Sequence, residues 1–125
     1  MYVGTDLVHV PSFAAQLSQP GTRFATVFTD RELRNCADKV DRDASLAARW
    51  AAKEAYIKAW SNSHYGTPPV LEADTVNFAE IEVVPDVFGR VAIVLRGHLA
   101  RVAPPAASLS ICHDGDYAQA VCVVL

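Results

Sequence analysis

The sequence has few features of a secreted, membrane-bound or nucleic-acid-binding protein. Its three cysteines, Cys36, Cys112 and Cys122, are odd in number and widely spaced, which argues against a disulfide framework and a zinc knuckle. The first ten residues include Asp6 and lack a basic region followed by a long apolar run. We therefore expect neither a signal peptide nor a membrane span, and a cytoplasmic location. The net charge of −3 lacks the basic excess with which nucleic-acid binders neutralise phosphates.

The residues that are present predict an α+β fold. The 125 residues, 51% of them hydrophobic, suit one compact domain over residues 1–125. Residues 45–60 are rich in Ala, Leu, Lys and Glu and lack Gly and Pro, so they predict the main helix. Residues 81–95 and 108–125 each contain two β-favouring runs around a turn, which predicts two hairpins. We expect an antiparallel sheet, joined by a first strand over residues 2–8, packed against the long central helix.

Shorter helices are predicted before and after a break at residues 19–21, Gln-Pro-Gly. Pro11 stands where a first helical turn tolerates proline, which predicts a helix as far as about Leu17. Residues 29–32, Thr-Asp-Arg-Glu, have capping-box spacing and predict the start of a second helix. Residues 61–69 contain Asn, Gly and two prolines and predict a loop.

The main helix carries a lysine within an apolar stripe. At 3.6 residues per turn, Leu46, Trp50, Ile57 and Trp60 fall within a stripe about 80° wide, which we expect to face the sheet. Lys53 projects from the middle of this stripe. Because burying an unpaired ammonium is costly, Lys53 must either extend its charge to the surface or meet a fixed anion.

Glu54 and Lys58 lie one helical turn apart, beside Ala47 and Ala51. A Glu–Lys pair at this spacing is usually a solvated pair that contributes a few tenths of a kcal/mol. The small residues beside it would also let a backbone or a flat ligand approach the helix closely. Both interpretations stay open.

Asp6 is a carboxylate within an otherwise apolar first strand. It either caps a turn at the end of the strand or binds a ligand or cation, because an unsatisfied carboxylate is expensive to bury. Gly4 lies on the same side of the strand, and we interpret its missing side chain as room for a ligand.

Asp6 and Glu54 lie on separate elements, with lysines nearby and no His/Cys ligand cluster, which favours Mg²⁺ over zinc. Carboxylates that bind a metal, together with nearby lysines, suit an enzyme that catalyses phosphoryl-type transfer. The P-loop and Rossmann patterns are absent, so reasoning from the residues ends at a candidate magnesium and phosphate site.

Five segments resemble the 4'-phosphopantetheinyl transferase superfamily, and most closely its short, single-domain holo-acyl-carrier-protein synthase branch. The segments are Gly4–Val8, Phe28–Thr29, Arg49–Ala55, Glu82–Arg90 and Ser110–Asp114. The Trp-x-x-Lys-Glu element within Arg49–Ala55 is the specific signal, whereas Gly-x-Asp and Ser-x-x-His alone are weak. The resemblance implies the fold of that superfamily.

The resemblance also implies an activity. It implies an enzyme of fatty acid biosynthesis that transfers 4'-phosphopantetheine from coenzyme A to a serine of an acyl carrier protein or carrier domain, releasing adenosine 3',5'-bisphosphate. Asp6 and Glu54 would bind Mg²⁺, Lys58 would stabilise the leaving group, and Glu54 would be the nearest participant for the serine proton. The residues implied to line the coenzyme site are Arg49, Lys53 and His113, although His113 is equally consistent with a structural histidine.

Members of this branch are typically homotrimers with coenzyme sites between subunits, and this too is implied only by the resemblance. Arg31 and Arg34 would steer an acidic carrier protein, or serve only as solubilising charge. Three positions depart from the common family pattern: His9, Ser12 and Cys112. The alternative function is a non-catalytic subunit that binds coenzyme A or a nucleotide, and a small scaffold domain is a third.

Overall fold

The secondary structure follows the predicted order, and a computed structural model describes residues 1–125 apart from the side chain at position 73. The strands are β1 (Tyr2–His9), β2 (Ile81–Pro85), β3 (Val91–Leu95), β4 (Ala107–Asp114) and β5 (Tyr117–Val124). The helices are α1 (Val10–Leu17), α2 (Asp30–Ala37), α3 (Arg42–Asn62) and α4 (Leu99–Val102), with 3-10 turns at Phe24–Val27, Ala73–Thr75 and Phe78–Glu80. No helix in the described part of the chain is long and apolar enough to cross a membrane.

Local capping sets the starts of the two central helices. Thr29 Oγ1 accepts from the Glu32 amide at 3.2 Å, and Glu32 Oε1 accepts from the Thr29 amide at 2.9 Å, which confirms the predicted capping box of α2. Helix α3 begins three residues before the predicted start, because Asp41 Oδ1 accepts from the Ala44 amide at 3.0 Å and caps the helix there.

All strand pairs are antiparallel, as predicted, and they form two sheets. The larger sheet has the order β1-β5-β4, so the first strand does return to pair with the last. The hairpin β2-β3 forms a separate two-stranded sheet. Gly89 and Gly115 have φ of 83° and 57° in the two hairpin turns, a conformation that favours glycine.

Helix α3 meets the three-stranded sheet through its alanine face, not through the predicted apolar stripe. A Cβ at Gly4 of β1 would overlap the carbonyl oxygen of Ala55, so strand and helix backbones are in close contact there. Small residues permit this approach, whereas the larger side chains fill the wider space on the opposite side. Trp50, for example, packs edge-on against Phe24 and Phe78, with ring centroids 5.2 and 4.8 Å away.

The close approach also corrects our interpretation of Gly4. The space left by its missing side chain is filled by the backbone of α3 and does not hold a ligand. Gly4 is needed because the helix lies directly on the strand at this point. The same contact positions Asp6, two residues further along β1, against the side of α3.

Candidate active site

Asp6 and Glu54 line the same cavity. Asp6 pairs in register with the buried Ala120 of β5, so it faces α3, and its side chain is 14% exposed. Glu54 is half-buried on α3. A cavity of about 290 Å³ separates β1 and α1 from α3. The residues that line this acidic cavity are Asp6, Leu7, Val8, His9, Ser12, Phe13, Gln16, Trp50 and Glu54.

Lys58 is the cation of this site. Its Nζ lies 2.9 Å from Asp6 Oδ1 and donates to the carbonyl oxygen of Thr5 at 3.1 Å. Lys58 therefore pairs with an acid of another element and not simply with Glu54, its neighbour on the helix. The side chain of Lys58 is 51% exposed, so this ion pair is solvated and contributes little to stability.

The environment of Glu54 makes this carboxyl harder to ionise. Burial raises the pKa of Glu54, the negative charge of Asp6 raises it further, and Lys58 opposes both. The raised pKa shows that local positive charge does not fully balance Glu54. A divalent cation would supply the missing charge.

The donor set of the acidic cavity fits Mg²⁺. Two carboxylates from separate elements are a common protein contribution to a magnesium site, where water and phosphate supply the other ligands. Among the residues that the structure describes, no group of three His, Cys, Asp or Glu side chains forms a closed metal site. A structural zinc site, which needs four such ligands, therefore has no candidate among the described residues.

Lys53 does not belong to this site. Its side chain is 0% exposed, and its Nζ lies 2.8 Å from Glu32 Oε1 and donates to the carbonyl oxygens of Phe78 at 3.0 Å and Ile81 at 2.6 Å. The ammonium has three N–H groups, and these three acceptors satisfy them all. The role at a coenzyme phosphate that the resemblance implied for Lys53 is incompatible with this burial. The sequence left two alternatives, that Lys53 extends its charge to the surface or that it meets a fixed anion. The structure shows the second, and the anion is Glu32.

A second buried acid continues this ion-pair network beside α2. Glu82 is 4% exposed, accepts from Thr29 Oγ1 at 2.7 Å and from Arg96 Nη2 at 2.8 Å, and lies 3.9 Å from Arg31 Nη1. Hydrogen bonds from Thr29 and Arg96 and the charges of Arg96 and Arg31 lower the pKa of Glu82 against the effect of burial. The network joins α2 to β2 and holds Lys53, and with it the middle of α3.

Arg49 and His113 lie outside the acidic cavity. Arg49 is 6% exposed, its Nη1 donates to the carbonyl oxygen of Ser45 at 3.2 Å, and its buried Nε has no hydrogen-bond partner among the described residues. His113 is exposed on β4, where Ala118 of β5 separates it from Val8 of β1. The structure therefore brings together Asp6, Glu54 and Lys58 of the predicted site, but not these two.

Helix α1 contributes cavity residues that the sequence reasoning did not assign to a site. His9 Nδ1 lies 2.6 Å from Ser12 Oγ and accepts from the Ser12 amide at 3.3 Å, so His9 caps α1 and fixes both side chains at the cavity. Gln16 lies one turn beyond Ser12 and also lines the cavity. Their spacing at i and i+4 was a visible signal, but nothing local showed which side of α1 faces α3.

A pair of carboxylates with an adjacent lysine, on an α+β fold, is an arrangement that suits enzymes acting on phosphate groups. Known proteins identify the family more closely. The model of the 4'-phosphopantetheinyl transferase superfamily matches residues 2–122. The chain belongs to this superfamily, which confirms the assignment drawn from its motifs.

Individual relatives agree with this family. The holo-[acyl-carrier-protein] synthase of Corynebacterium glutamicum is 50% identical over 98% of this chain and 96% of its own length. That of Mycobacterium tuberculosis is 48% identical over 98% and 94% of the two chains. The structure of a Chronobacterium ammoniagenes ACPS-CoA complex is 55% identical and superimposes with a TM-score of 0.89, covering 97% of this chain and 93% of the other. These similarities confirm the α+β phosphopantetheinyl transferase fold.

Proposed function

We propose that this protein transfers 4'-phosphopantetheine from coenzyme A to a serine of an acyl carrier protein or carrier domain. In this reaction the serine Oγ forms a bond to the β-phosphorus of coenzyme A. The bond from that phosphorus to the bridging oxygen breaks, and adenosine 3',5'-bisphosphate leaves. The observation that carries the proposal is that Asp6 and Glu54 line one cavity and Lys58 pairs with Asp6, in a chain 50% identical to a holo-[acyl-carrier-protein] synthase.

Asp6 and Glu54 are the residues that we propose as Mg²⁺ ligands. When bound, the ion supplies positive charge to the diphosphate oxygens of the substrate. The raised pKa of Glu54 supports this role, because an under-compensated carboxylate gains most from a cation. Glu54 is also the local group that we assign to the serine proton, because it is a carboxylate of the same cavity.

Lys58 is proposed to stabilise the leaving group. Its flexible, half-exposed ammonium is a point charge that can follow the diphosphate as negative charge develops on the bridging oxygen. The bond to Asp6 holds the ammonium beside one of the two cavity carboxylates before substrate binds. Lys58 thus acts on the substrate, and Asp6 acts partly by positioning Lys58.

Arg49 and His113 are proposed to contact the coenzyme from a neighbouring subunit. Neither residue lines the acidic cavity of its own chain, so each can contact the coenzyme only if the coenzyme binds between two subunits. A guanidinium and an imidazole are both groups that bind phosphate, so each suits a contact with a phosphate of coenzyme A.

A homotrimer is the assembly that we propose. The outer face of the β1-β5-β4 sheet points away from α3 and exposes apolar side chains, including Val3 at 52%, Leu7 at 62% and Val121 at 39%. An exposed apolar sheet face of this kind is typical of an interface between subunits. Analytical ultracentrifugation tests the trimer, and Val3→Glu, which places a charge on this face and lies outside the acidic cavity, should weaken it.

An acidic carrier protein is the proposed partner. Arg34 is exposed on α2 and half-exposed Arg31 lies nearby, so both can attract such a carrier, although either arginine also serves solubility. Nucleic acid is not expected as a partner, given the net charge of −3. A role in fatty acid biosynthesis and a cytoplasmic location stay predictions.

Mass spectrometry of the carrier protein tests the activity. After incubation with coenzyme A, Mg²⁺ and an apo-acyl carrier protein, we expect the carrier to gain the mass of one phosphopantetheine arm. The gain should be lost with Glu54→Ala and kept with Asp38→Ala, a matched change at an exposed acid outside the cavity. A carrier of unchanged mass with the wild-type protein would contradict the proposal.

The same samples separate the two other functions. A non-catalytic subunit would show a thermal shift with coenzyme A but no change in carrier mass. A scaffold domain would show neither. The presence of Asp6, Glu54 and Lys58 in one site favours catalysis over both.

A further inference from the structure

The acidic cavity contains a serine hydroxyl that is held by a histidine. Ser12 Oγ lies 2.6 Å from His9 Nδ1, and the Ser12 amide donates to the same nitrogen at 3.3 Å. Because an amide N–H can only donate, His9 Nδ1 is the unprotonated nitrogen of a neutral imidazole. The Ser12 hydroxyl must therefore also donate its proton to Nδ1. This is the arrangement of a serine nucleophile and its general base.

The histidine of this pair is oriented by contacts on two sides. His9 is the last residue of β1 and pairs in register with Tyr117 of β5, whose ring centroid lies 5.4 Å from that of the imidazole. His9 also caps α1 through the Ser12 amide. A base that is itself held in place by a further group is typical of an activated nucleophile. The hydroxyl and the imidazole are therefore aligned before any ligand binds.

The pair lies in the cavity where we propose that the diphosphate of coenzyme A binds. His9 and Ser12 line this cavity together with Asp6 and Glu54, the proposed Mg²⁺ ligands. Both His9 and Ser12 are exposed, so the hydroxyl can be reached without any rearrangement of the core. A diphosphate bound beside Asp6 and Glu54 would therefore share the cavity with a serine of the protein itself.

We infer that Ser12 is itself an acceptor of 4'-phosphopantetheine, so that the protein modifies itself when no carrier protein is bound; this inference rests on the proposed function. Ser12 Oγ forms a bond to the β-phosphorus of coenzyme A, and the bond from that phosphorus to the bridging oxygen breaks. Adenosine 3',5'-bisphosphate leaves with the electron pair of the broken bond. The hydroxyl proton passes to His9 Nδ1, and the doubly protonated imidazole then loses a proton to water.

Three variants separate this role from helix capping alone. In Ser12→Ala the backbone amide at position 12 can still donate to His9 Nδ1, so the cap of α1 is kept while the nucleophile is lost. His9→Asn keeps a side chain that caps helices well and removes the imidazole base. Ser18→Ala is the matched control, because Ser18 is an exposed serine at the other end of α1 and is not part of the cavity lining. Circular dichroism establishes that each variant is folded.

Mass spectrometry of the protein itself, after incubation with coenzyme A and Mg²⁺ but no carrier, tests the inference. We expect the wild-type protein to gain the mass of one phosphopantetheine arm, to release an equal amount of bisphosphate, and to carry the arm on Ser12 when its peptides are fragmented. Ser18→Ala should behave in the same way, whereas Ser12→Ala and Glu54→Ala should gain nothing. His9→Asn should slow the gain about 10²-fold, because a general base is lost.

Several outcomes would overturn the inference. The absence of a mass gain in a wild-type protein that loads the carrier would overturn this inference and leave the proposed function intact. A gain that persists in Ser12→Ala would overturn it because another residue would be the acceptor, and bisphosphate release without a gain would do so because water would be. An unchanged rate in His9→Asn would overturn the role of His9 as base. A wild-type protein that modifies itself but not the carrier contradicts the proposed function alone, and one that modifies neither refutes both.

Discussion

Replacing Lys53 by methionine tests whether this lysine is structural. The change keeps the length of the side chain and removes the ammonium, which leaves Glu32 buried without its cation and the carbonyl oxygens of Phe78 and Ile81 without their donor. Breaking a buried ion pair by removing one partner costs about 3–5 kcal/mol. The amides of Thr29 and Val83 still donate to Glu32, each at 2.9 Å, so we expect the lower half of that range.

Thermal unfolding followed by circular dichroism measures this loss. For a chain of this size, a loss of about 3–4 kcal/mol corresponds to a fall in Tm of roughly 10–15 °C. The double variant Lys53→Met with Glu32→Gln should recover part of the loss, because a neutral amide is cheaper to bury and its oxygen can keep the capping box, while the bond from the Val83 amide is lost. The folded double variant should keep the wild-type KM for coenzyme A.

Two results would refute this reasoning. A Tm of Lys53→Met within about 2 °C of the wild-type value would show that the buried pair is not needed for stability. A raised KM for coenzyme A in a double variant of restored stability would show that Lys53 contacts the coenzyme.

Three further predictions concern the sheet contact and the acidic cavity. Gly4→Ala should lower stability by about 1–3 kcal/mol in urea titrations, because its Cβ overlaps the Ala55 carbonyl; an unchanged midpoint would disprove the close contact. Mg²⁺ affinity should rise as the pH rises through the raised pKa of Glu54, and Mg²⁺ binding should release protons; calorimetry in buffers of different ionisation enthalpy measures both, and a pH-independent affinity would contradict the prediction. The metal-free protein should lose stability over the same rise in pH, because Glu54 ionises more easily in the unfolded chain than in the folded one. Lys58→Ala should lower kcat/KM in the carrier-loading assay about 10²–10³-fold and change the free energy of unfolding by less than about 1 kcal/mol. Full activity in this variant would show that Lys58 has no role in the reaction.

Several features of the fold were readable from short stretches of sequence. The capping box of Thr29 and Glu32, the hairpin glycines Gly89 and Gly115 and the first strand all agree with prediction. Each of these depends on interactions between residues close in sequence, or on a backbone conformation that one residue type favours. Asp6 was also conspicuous as a carboxylate in an apolar strand, and the structure places it at the same cavity as Glu54.

The orientation of α3 was not readable in the same way. A helix buried on nearly all sides offers more than one apolar face, and the alanine face that meets the sheet was less conspicuous than the stripe of large side chains. The role of Gly4 was misread for the same reason. Whether the space beside Gly4 holds a ligand or a helix depends on which helix packs against β1, and no local sequence pattern shows that.

The order of residues alone thus specifies the elements, their caps and turns, and the family to which the chain belongs, because these follow from local backbone preference and from short motifs. Only packing decides which charges meet. Lys58 pairs with Asp6, 52 positions away, and Lys53 with Glu32, 21 positions away, although Glu54 lies beside both lysines on the helix. Contacts between distant segments depend on how the whole chain buries its apolar surface, and no local pattern records that outcome.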